Sequence, residues 1–376
     1  MQPKLKKIAR ILFIIANVTT VILALLCCWA PFLNAGEHPF MALLGLLFPF
    51  LFIVLLGFFI YWLIRRSKWV LVYIAIFLLG WQQVAVIFSF HSIKKFTANK
   101  APGALRILTW NLSGWGETGR GNNNNMEAMV ELIKSTNADV LCFQELLYYK
   151  DSKYRDSVIP ALKEMGYRFA YFAKKEYTGG MYTTLVLTGI EIMSKYPITD
   201  TGSFFYDGND IAEPLIYADI KINDQPVRFF TTHLESVRFE AEDYTVLHNL
   251  KNPSAINITE SRVAGGKLKQ AYKKRAAQAA MLHKKIEESP YPTIVCGDFN
   301  DVPNSFTYFT VKGNLQDAFL KKGAGLGRTF RFISPTLRID YILADKKFEV
   351  LQYHTFQVPF SDHYPVIADF DIGEEK

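Results

Sequence analysis

The stretch IVCGDFND, Ile294 to Asp301, joins a short apolar run to a dense group of polar residues. Residues i and i+2 of an extended segment point to the same side. Asp298 and Asn300 are therefore expected to share one face at the carboxyl end of a buried strand. A Gly-Asp turn alone is equally compatible with a structural role, so the meaning of this stretch depends on the other motifs of the chain.

From Ala104 onward, short β-rich segments bounded by turn residues predict many strands. Helical stretches are predicted at Asn125 to Thr136, Asp156 to Met165 and Lys267 to Glu288. The strands come in consecutive groups and do not alternate strictly with helices, which favours a mixed domain with two packed sheets. The predicted fold class is α/β, a two-sheet β-sandwich flanked by helices.

Several of these predicted strands carry acids, amides or imidazoles at or near an end, although acids and amides are depleted from strands. Any one of these residues alone is compatible with a cap or a turn. Together they predict a single rim that the fold assembles from distant parts of the chain. The residues are Asn111 in TWN, Glu145 in FQE, His233 in TTH, Asp298 and Asn300 in GDFN, Asp340 in RID, and Asp362 and His363 in SDH.

These motifs, in this order, resemble the endonuclease/exonuclease/phosphatase superfamily, which includes DNase I, neutral sphingomyelinases, inositol polyphosphate 5-phosphatases and deadenylases. The resemblance extends from about Leu105 to Ile372. It implies the DNase I-like sandwich, with the active site at one end, and an enzyme that hydrolyses phosphoric esters. AP endonucleases usually carry Tyr and Asn where this chain has His233, so the resemblance disfavours abasic-site repair.

The resemblance also implies roles for the rim. Glu145 would be the main ligand of a catalytic Mg²⁺ (or Mn²⁺), and Asn111 and Asp362 would support the metal. Hard oxygen donors suit such an ion. Asp298 would orient or deprotonate the attacking water, Asn300 would bind a phosphoryl oxygen, Asp340 would pair with His363, and His233 would be the second imidazole. Lys274, Arg275 and Arg338 are candidate substrate-binding residues, although Arg275 is also compatible with packing of the helix before GDFN.

The first 92 residues have a different character. Three runs at about 11–33, 40–64 and 69–90 lack charged residues, and each exceeds the roughly 20 residues that a helix needs to cross a bilayer. Three transmembrane helices are therefore predicted, then a linker at 93–103 and a catalytic domain at 104–376. Gln82 and Gln83 are expected to face a neighbouring helix.

Charge predicts the orientation of these helices. Basic residues precede the first run and fill the second connection, whereas the first connection carries only Glu37. The positive-inside rule then places the amino terminus in the cytoplasm and the catalytic domain outside it. An integral membrane protein of the cytoplasmic or plasma membrane is expected, and the sequence does not predict its oligomeric state.

The formal net charge of the chain is +7. The first hundred residues hold ten basic residues and one acid, whereas the remainder has 32 basic and 34 acidic residues, so the excess of positive charge lies in the first hundred. That remainder lacks the basic footprint of a protein that neutralises many phosphates, so nucleic acid is a less favoured partner. We expect a phosphorylated lipid or lipid-linked substrate in the bilayer. A sphingomyelinase-like phosphodiesterase and a polyprenyl-pyrophosphate phosphatase of the VanJ-like layout both fit. An extracytoplasmic DNase I-like nuclease is the alternative, and a non-catalytic scaffold is a remote one.

Overall fold

The computed structural model describes residues 3–116, 125–149, 155–179, 182–206, 213–238 and 258–373. The chain divides into two compact units. The helical unit comprises Met1–Ile87, Val237–Ala277 and Val302–Phe309, and the sheet unit comprises Phe88–Ser236, Gln278–Asp301 and Thr310–Lys376.

The amino-terminal helices of the helical unit are apolar and long. They are α1 (Pro3–Trp29), followed by a 3₁₀ turn (Ala30–Phe32), α2 (Pro39–Ile64), α3 (Trp69–Leu79) and α4 (Trp81–Ile87). Two segments, Lys4–Phe32 and Pro39–Ile64, are long and apolar enough to cross a membrane. The predicted third span corresponds to a pair of helices, α3 and α4, that are bent by 58° and together pass the same test of length and composition. The bend lies at Gly80, where a Cβ would come within 3.1 Å of the Ile76 carbonyl and 3.2 Å of Cys28 Sγ.

Polar side chains connect these helices inside the helical unit. Asn17 on α1 accepts hydrogen bonds from the Trp62 indole (2.7 Å) and the Tyr73 hydroxyl (2.8 Å), so one amide links three helices. Gln83 donates to the Cys28 carbonyl at 3.0 Å, as expected of a residue that faces a neighbouring helix. Gln82 is exposed, so the same prediction was wrong for it.

The sheet unit contains two six-stranded sheets. The first sheet has the order β13-β14-β2-β3-β5-β4 and consists of β2 (Leu105–Asn111), β3 (Val140–Tyr149), β4 (Phe169–Gly179), β5 (Tyr182–Ser194), β13 (Glu349–Thr355) and β14 (Val366–Asp371). The second has the order β10-β12-β9-β8-β7-β6 and consists of β6 (Ile198–Phe204), β7 (Leu215–Ile222), β8 (Gln225–His233), β9 (Thr293–Asp298), β10 (Gln316–Asp317) and β12 (Asp340–Ala344). A short pair, β1 (Ser89–Phe90) and β11 (Ala324–Gly325), completes the described strands.

The described helices beyond the amino-terminal ones are α5 (Met126–Thr136), α6 (Arg155–Glu164), α7 (Ile258–Glu287), α8 (Phe306–Lys312) and α9 (Ala318–Lys322). Alternation along the strands explains how both faces of a sheet are buried. Ile107 on β2 packs in the core with residues of both sheets, such as Ile294. Its neighbour Leu108 packs in a second core with Met129 and Ile133 of α5. The predicted two-sheet α/β sandwich flanked by helices is confirmed.

Strand pairing brings the polar strand ends together. β8 and β9 are parallel, with His233 opposite Asp298, and β12 is antiparallel to β9, with Asp340 opposite Asp298. In the other sheet β2 and β3 are parallel, with Asn111 opposite Gln144. One end of the second sheet therefore holds the carboxyl ends of β8 and β9 and the amino end of β12.

The predicted linker at 93–103 is attached to the sheet unit along much of its length. The guanidinium of the fully buried Arg106 donates to the carbonyls of Thr97 (2.8 Å) and Ala98 (2.7 Å) while it pairs with Asp369. Lys100 forms an ion pair with Asp139. These contacts hold the segment against the first sheet, and the compact unit begins at Phe88.

Candidate active site

Asp298 lies at the centre of the rim and is completely buried. Its Oδ1 accepts a hydrogen bond from the backbone N–H of Asn300 (2.8 Å), and its Oδ2 accepts one from the Asn111 amide (3.1 Å). The same Oδ2 lies 3.6 Å from Nε2 of both His233 and His363. One carboxylate therefore lies between two imidazoles, each on a different strand or loop.

Each of the two imidazoles has its own carboxylate. Nδ1 of His363 lies 2.9 Å from Asp340 Oδ2 and 3.1 Å from Asp340 Oδ1. Nδ1 of His233 lies 2.9 Å from Glu213 Oε2. A carboxylate at Nδ1 fixes the ring orientation and favours the charged form of the imidazole, so Nε2 of each ring is directed towards Asp298.

Glu213, the carboxylate that contacts His233, was not among the residues predicted from the sequence. It lies just before β7, outside any strand, so the criterion of polar residues at strand ends does not select it. β7 and β8 form an antiparallel pair in which Ile216 faces Thr231, and this register brings an acid before β7 close to a histidine at the end of β8.

In this cluster, burial and neighbouring charges act in opposite directions on the pKa values of the two histidines and of Asp298. Burial lowers the pKa of His233, but the hydrogen bond to Glu213 and the charges of Glu145 and Asp298 raise it to about 10. Burial likewise lowers the pKa of His363, whereas Asp340 and Asp298 hold it well above its ordinary value. Burial raises the pKa of Asp298, which His363 and His233 counteract. Two cationic imidazoles around one carboxylate is the arrangement that these interactions favour.

Glu145 lies beside this cluster and remains 39% exposed, unlike Asp298. It occupies a register shift in β3 between Phe143 and Leu146, with φ at +48°. Its Oε1 accepts from the Asn111 amide at 3.1 Å and lies 3.6 Å from Nε2 of His233. The bulge thus directs an accessible carboxylate towards His233 and Asn111 while the flanking residues stay in the sheet.

Asn300 and Asp362 complete the predicted rim. Asn300 has φ at +52°, and its amide nitrogen donates one hydrogen to the Leu234 carbonyl (2.9 Å). A carboxamide nitrogen carries a second hydrogen. Asp362 accepts from the Ser361 hydroxyl at 3.2 Å. Partial desolvation of the Glu145 carboxylate and, to a smaller extent, the charge of Asp362 raise the pKa of Glu145.

Two sets of donors in the described residues could hold a metal ion. Asp298, Asp340 and His363 have ligand atoms within 4.8 Å of one another, but both oxygens of Asp340 already contact Nδ1 of His363. The other set is the predicted group of Glu145, Asn111 and Asp362. Glu145 is accessible to solvent, whereas the side-chain oxygen of Asn111 accepts from the Ser113 N–H at 3.0 Å and its amide nitrogen faces Glu145. The two carboxylates fit Mg²⁺ or Mn²⁺, because hard cations of this size favour carboxylate oxygens and retain several waters.

The basic residues predicted to bind substrate occupy other positions. Arg338 is completely buried, donates to Asp317 at 2.7 Å and lies over the rings of Phe319 and Tyr341. The prediction for Arg338 was therefore wrong, because its charge is neutralised inside the core. Arg275 is only 1% exposed and lies over the ring of Tyr272 on the same helix, α7, which corrects the same prediction for it. Lys274 is partly buried on α7.

The family model described as Endonuclease/Exonuclease/phosphatase family matches residues 108–363, more than half of the chain. The chain belongs to this family. Members of the family are phosphoesterases and nucleases and are typically dependent on a divalent metal. A second model, a domain of unknown function (DUF8431), matches residues 9–87, the region of the apolar helices. No curated protein matches the chain.

Solved structures of the family are similar to this chain in fold. An endonuclease/exonuclease/phosphatase from Beutenbergia cavernae is 19% identical, with 71% of each chain covered and a TM-score of 0.52. The human Nocturnin catalytic domain is also 19% identical, with 71% of this chain and 93% of that chain covered and a TM-score of 0.49. TDP2 from C. elegans is 17% identical, with coverages of 71% and 75% and a TM-score of 0.47.

Proposed function

We propose that this protein is a membrane-anchored, Mg²⁺-dependent phosphoesterase that hydrolyses a P–O bond in a lipid or lipid-linked substrate. The observation that carries the proposal is the position of Asp298 Oδ2, 3.6 Å from two imidazole nitrogens that are each backed by a carboxylate. Phosphoryl transfer spreads negative charge over the equatorial oxygens, so catalysis is mostly positioning and charge stabilisation. Asp298 would position the attacking water, and the two cationic imidazoles would stabilise the negative charge.

In this proposal Asp298 accepts the proton of the attacking water and orients that water towards phosphorus. Within the described residues, Nε2 of His233 has no hydrogen-bond partner, so it is available to donate to a phosphate oxygen or to the leaving oxygen. His363, held by Asp340, donates to another oxygen of the same phosphate. The second amide hydrogen of Asn300 contributes a neutral donor.

Glu145 would hold the metal, and Asn111 and Asp362 would support it directly or through water. A bound Mg²⁺ supplies charge stabilisation to the phosphoryl oxygens and orients the substrate. The exposure of Glu145, next to the buried Asp298, fits a ligand that meets a hydrated ion at the surface of the site. Mn²⁺ has similar ligand preferences and is expected to substitute.

The lipid substrate is supported by the chain as a whole. Two apolar helices could span a membrane, and tethering raises the effective concentration of the site near membrane-bound substrates. The near-neutral charge beyond residue 100 argues against a nuclease. A phosphodiesterase and a pyrophosphatase would both hydrolyse a P–O bond in this way, and they would differ only in the leaving group.

The test is an assay of the full chain, purified in detergent, against phosphomonoesters, phosphodiesters and pyrophosphates in lipid-linked and soluble forms, with Mg²⁺. We expect Mg²⁺-dependent release of phosphate or a phosphorylated headgroup from lipid. Glu145→Gln and His363→Asn are expected to abolish it, whereas Glu349→Gln, at an exposed position on β13, serves as a matched control. Plasmid degradation without lipid turnover would identify a nuclease, and no turnover of any phosphoester would contradict the proposal.

A further inference from the structure

The first half of α7 carries three exposed basic side chains, Arg262, Lys269 and Lys273. We call these residues the basic stripe. They are seven and four residues apart, and such spacings place side chains on the same face of a helix. Gly266 lies on that face between them, and a Cβ there would contact nothing within 4 Å. The face is therefore open as well as cationic.

Among the described residues, the charge of the basic stripe has no acidic partner. The sequence from Arg262 to Lys285 contains no Asp or Glu. In the described part of the chain, no ion pair involves Lys269 or Lys273. Surface cations on ordinary helices often have acidic neighbours at i+3 or i+4, as Lys284 and Lys285 have in Glu288. The stripe lacks such neighbours, which favours an external anionic partner.

Another face of the same half of α7 packs on the amino-terminal helices of the helical unit. Tyr272 and Ala276 form a buried cluster with Ala35, which lies between α1 and α2, and with Ala42 at the start of α2. The contact is close, because a Cβ on Gly36 would lie 3.4 Å from the Cα of Lys273. The first half of α7 thus lies directly against the connection between two helices that are each long enough to span a bilayer.

A connection between two adjacent spans lies at the surface of the membrane. Basic side chains within a Debye length of an anionic lipid surface, about 10 Å at 0.1 M salt, are attracted to it. The attraction amounts to roughly a fivefold gain in affinity for each Lys or Arg. We propose that the basic stripe binds the anionic headgroups of the bilayer that holds α1 and α2. The inference rests on the proposed membrane anchoring and is independent of the proposed hydrolysis.

The test compares the full chain with the triple variant Arg262→Gln, Lys269→Gln, Lys273→Gln. Affinity for fluorescent phosphatidylglycerol and phosphatidylcholine is measured on protein purified in detergent. We expect the unmodified chain to prefer phosphatidylglycerol and the triple variant to lose about tenfold or more of this affinity. In 0.5 M NaCl, the two proteins are expected to converge, because salt screens exposed charges.

The matched control removes three exposed lysines elsewhere, in the variant Lys163→Gln, Lys284→Gln, Lys346→Gln. It has the same net charge as the triple variant and is expected to keep the preference of the unmodified chain. Equal loss in both variants, equal affinity of the unmodified chain for both lipids, or stronger binding of soluble polyphosphate than of phosphatidylglycerol would each overturn the inference.

Hydrolysis of a soluble phosphoester is measured on the same samples. The triple variant is expected to retain it, because the stripe residues are not part of the proposed catalytic machinery. Absence of hydrolysis in every sample, with the lipid preference intact, would contradict the proposed function and leave the stripe supported.

Discussion

Glu213 Oε2 lies 2.9 Å from Nδ1 of His233 and also accepts a longer hydrogen bond, 3.4 Å, from the backbone N–H of Glu145. One carboxylate thus contacts both a proposed proton donor and the bulge that presents the proposed metal ligand. A residue in this position sets the orientation of two functional groups without facing the substrate itself.

Glu213→Gln is expected to lower kcat by at least tenfold, because general acid–base groups contribute about 10²- to 10⁴-fold and depend on their protonation and orientation. The amide keeps the size of the side chain and removes the charge that helps to raise the pKa of His233. KM is expected to change less than kcat. The measurement is steady-state kinetics on the best substrate of the panel, with Glu164→Gln, an exposed acid on α6, as the control. An unchanged kcat would show that the pair is only structural.

Removal of the divalent metal is expected to abolish activity reversibly. Glu145→Gln is expected to raise the Mg²⁺ concentration needed for half-maximal activity by at least tenfold, since the variant loses a charged oxygen ligand. A readout independent of turnover is the stabilisation of the folded protein by Mg²⁺, which follows from binding to the native state. The unmodified chain should gain melting temperature with added Mg²⁺, and Glu145→Gln should not. An equal gain in both would place the metal elsewhere.

The buried pair Arg338–Asp317, with both side chains 1% exposed, leads to a prediction about stability. Arg338→Ala is expected to destabilise the fold by about 3–5 kcal/mol, because it leaves an uncompensated buried charge. The double variant Arg338→Met, Asp317→Asn is expected to recover much of the loss. Asparagine at 317 also preserves the cap on α9, where Asp317 accepts from the Phe319 N–H at 2.9 Å. Chemical denaturation of the two variants provides the measurement, and a stable, inactive Arg338→Ala protein would restore the substrate-binding interpretation.

Glu191 predicts a dependence of stability on pH. Burial raises its pKa from 4.5 to about 7, and the hydrogen bond from Tyr148 only partly opposes this. A raised folded-state pKa contributes stability that is present below about pH 4.5 and is lost as the pH rises through 7. The loss is on the order of 3 kcal/mol. Glu191→Gln should therefore gain melting temperature relative to the unmodified chain at pH 8 and gain little or nothing at pH 5. The same difference at both pH values would contradict the assignment.

The orientation of the chain is a prediction that intact cells can test. If the amino terminus is cytoplasmic and an odd number of crossings follows, the sheet unit lies outside the cytoplasm. Protease added to intact cells should then remove it, while a cytoplasmic marker protein stays intact. Full protection of the sheet unit, with cleavage only after lysis, would show that the bent pair α3–α4 does not cross the membrane or that the positive-inside rule fails here.

Much of the candidate site was predictable because its residues follow strand ends. His233 and Asp298 end two parallel strands, and Asp340 begins the strand antiparallel to β9, so polar residues at the ends of predicted strands were a sufficient signal. Glu213 was not predictable in this way, since its role depends on the antiparallel pairing of β7 and β8.

The errors for Arg338 and Arg275 share a physical cause, which is that local sequence does not report tertiary packing. Arg338 precedes a strand in the RID motif and was a candidate for substrate binding, yet Asp317 neutralises it in the core. The apolar run at 69–90 satisfied the length criterion for one span, and the feature that the sequence did not predict is the 58° bend between α3 and α4.

Glu145 and Asn300 both have a left-handed backbone, φ at +48° and +52°, a conformation that costs a residue other than glycine on the order of 1 kcal/mol or more. Function and folding therefore make opposite demands at these two positions. Glycine at either one would relieve backbone strain while it removed a side chain that the chemistry needs. A descendant of this protein that no longer cleaved its substrate would be free to accumulate such glycines, and their appearance would mark the loss of catalysis.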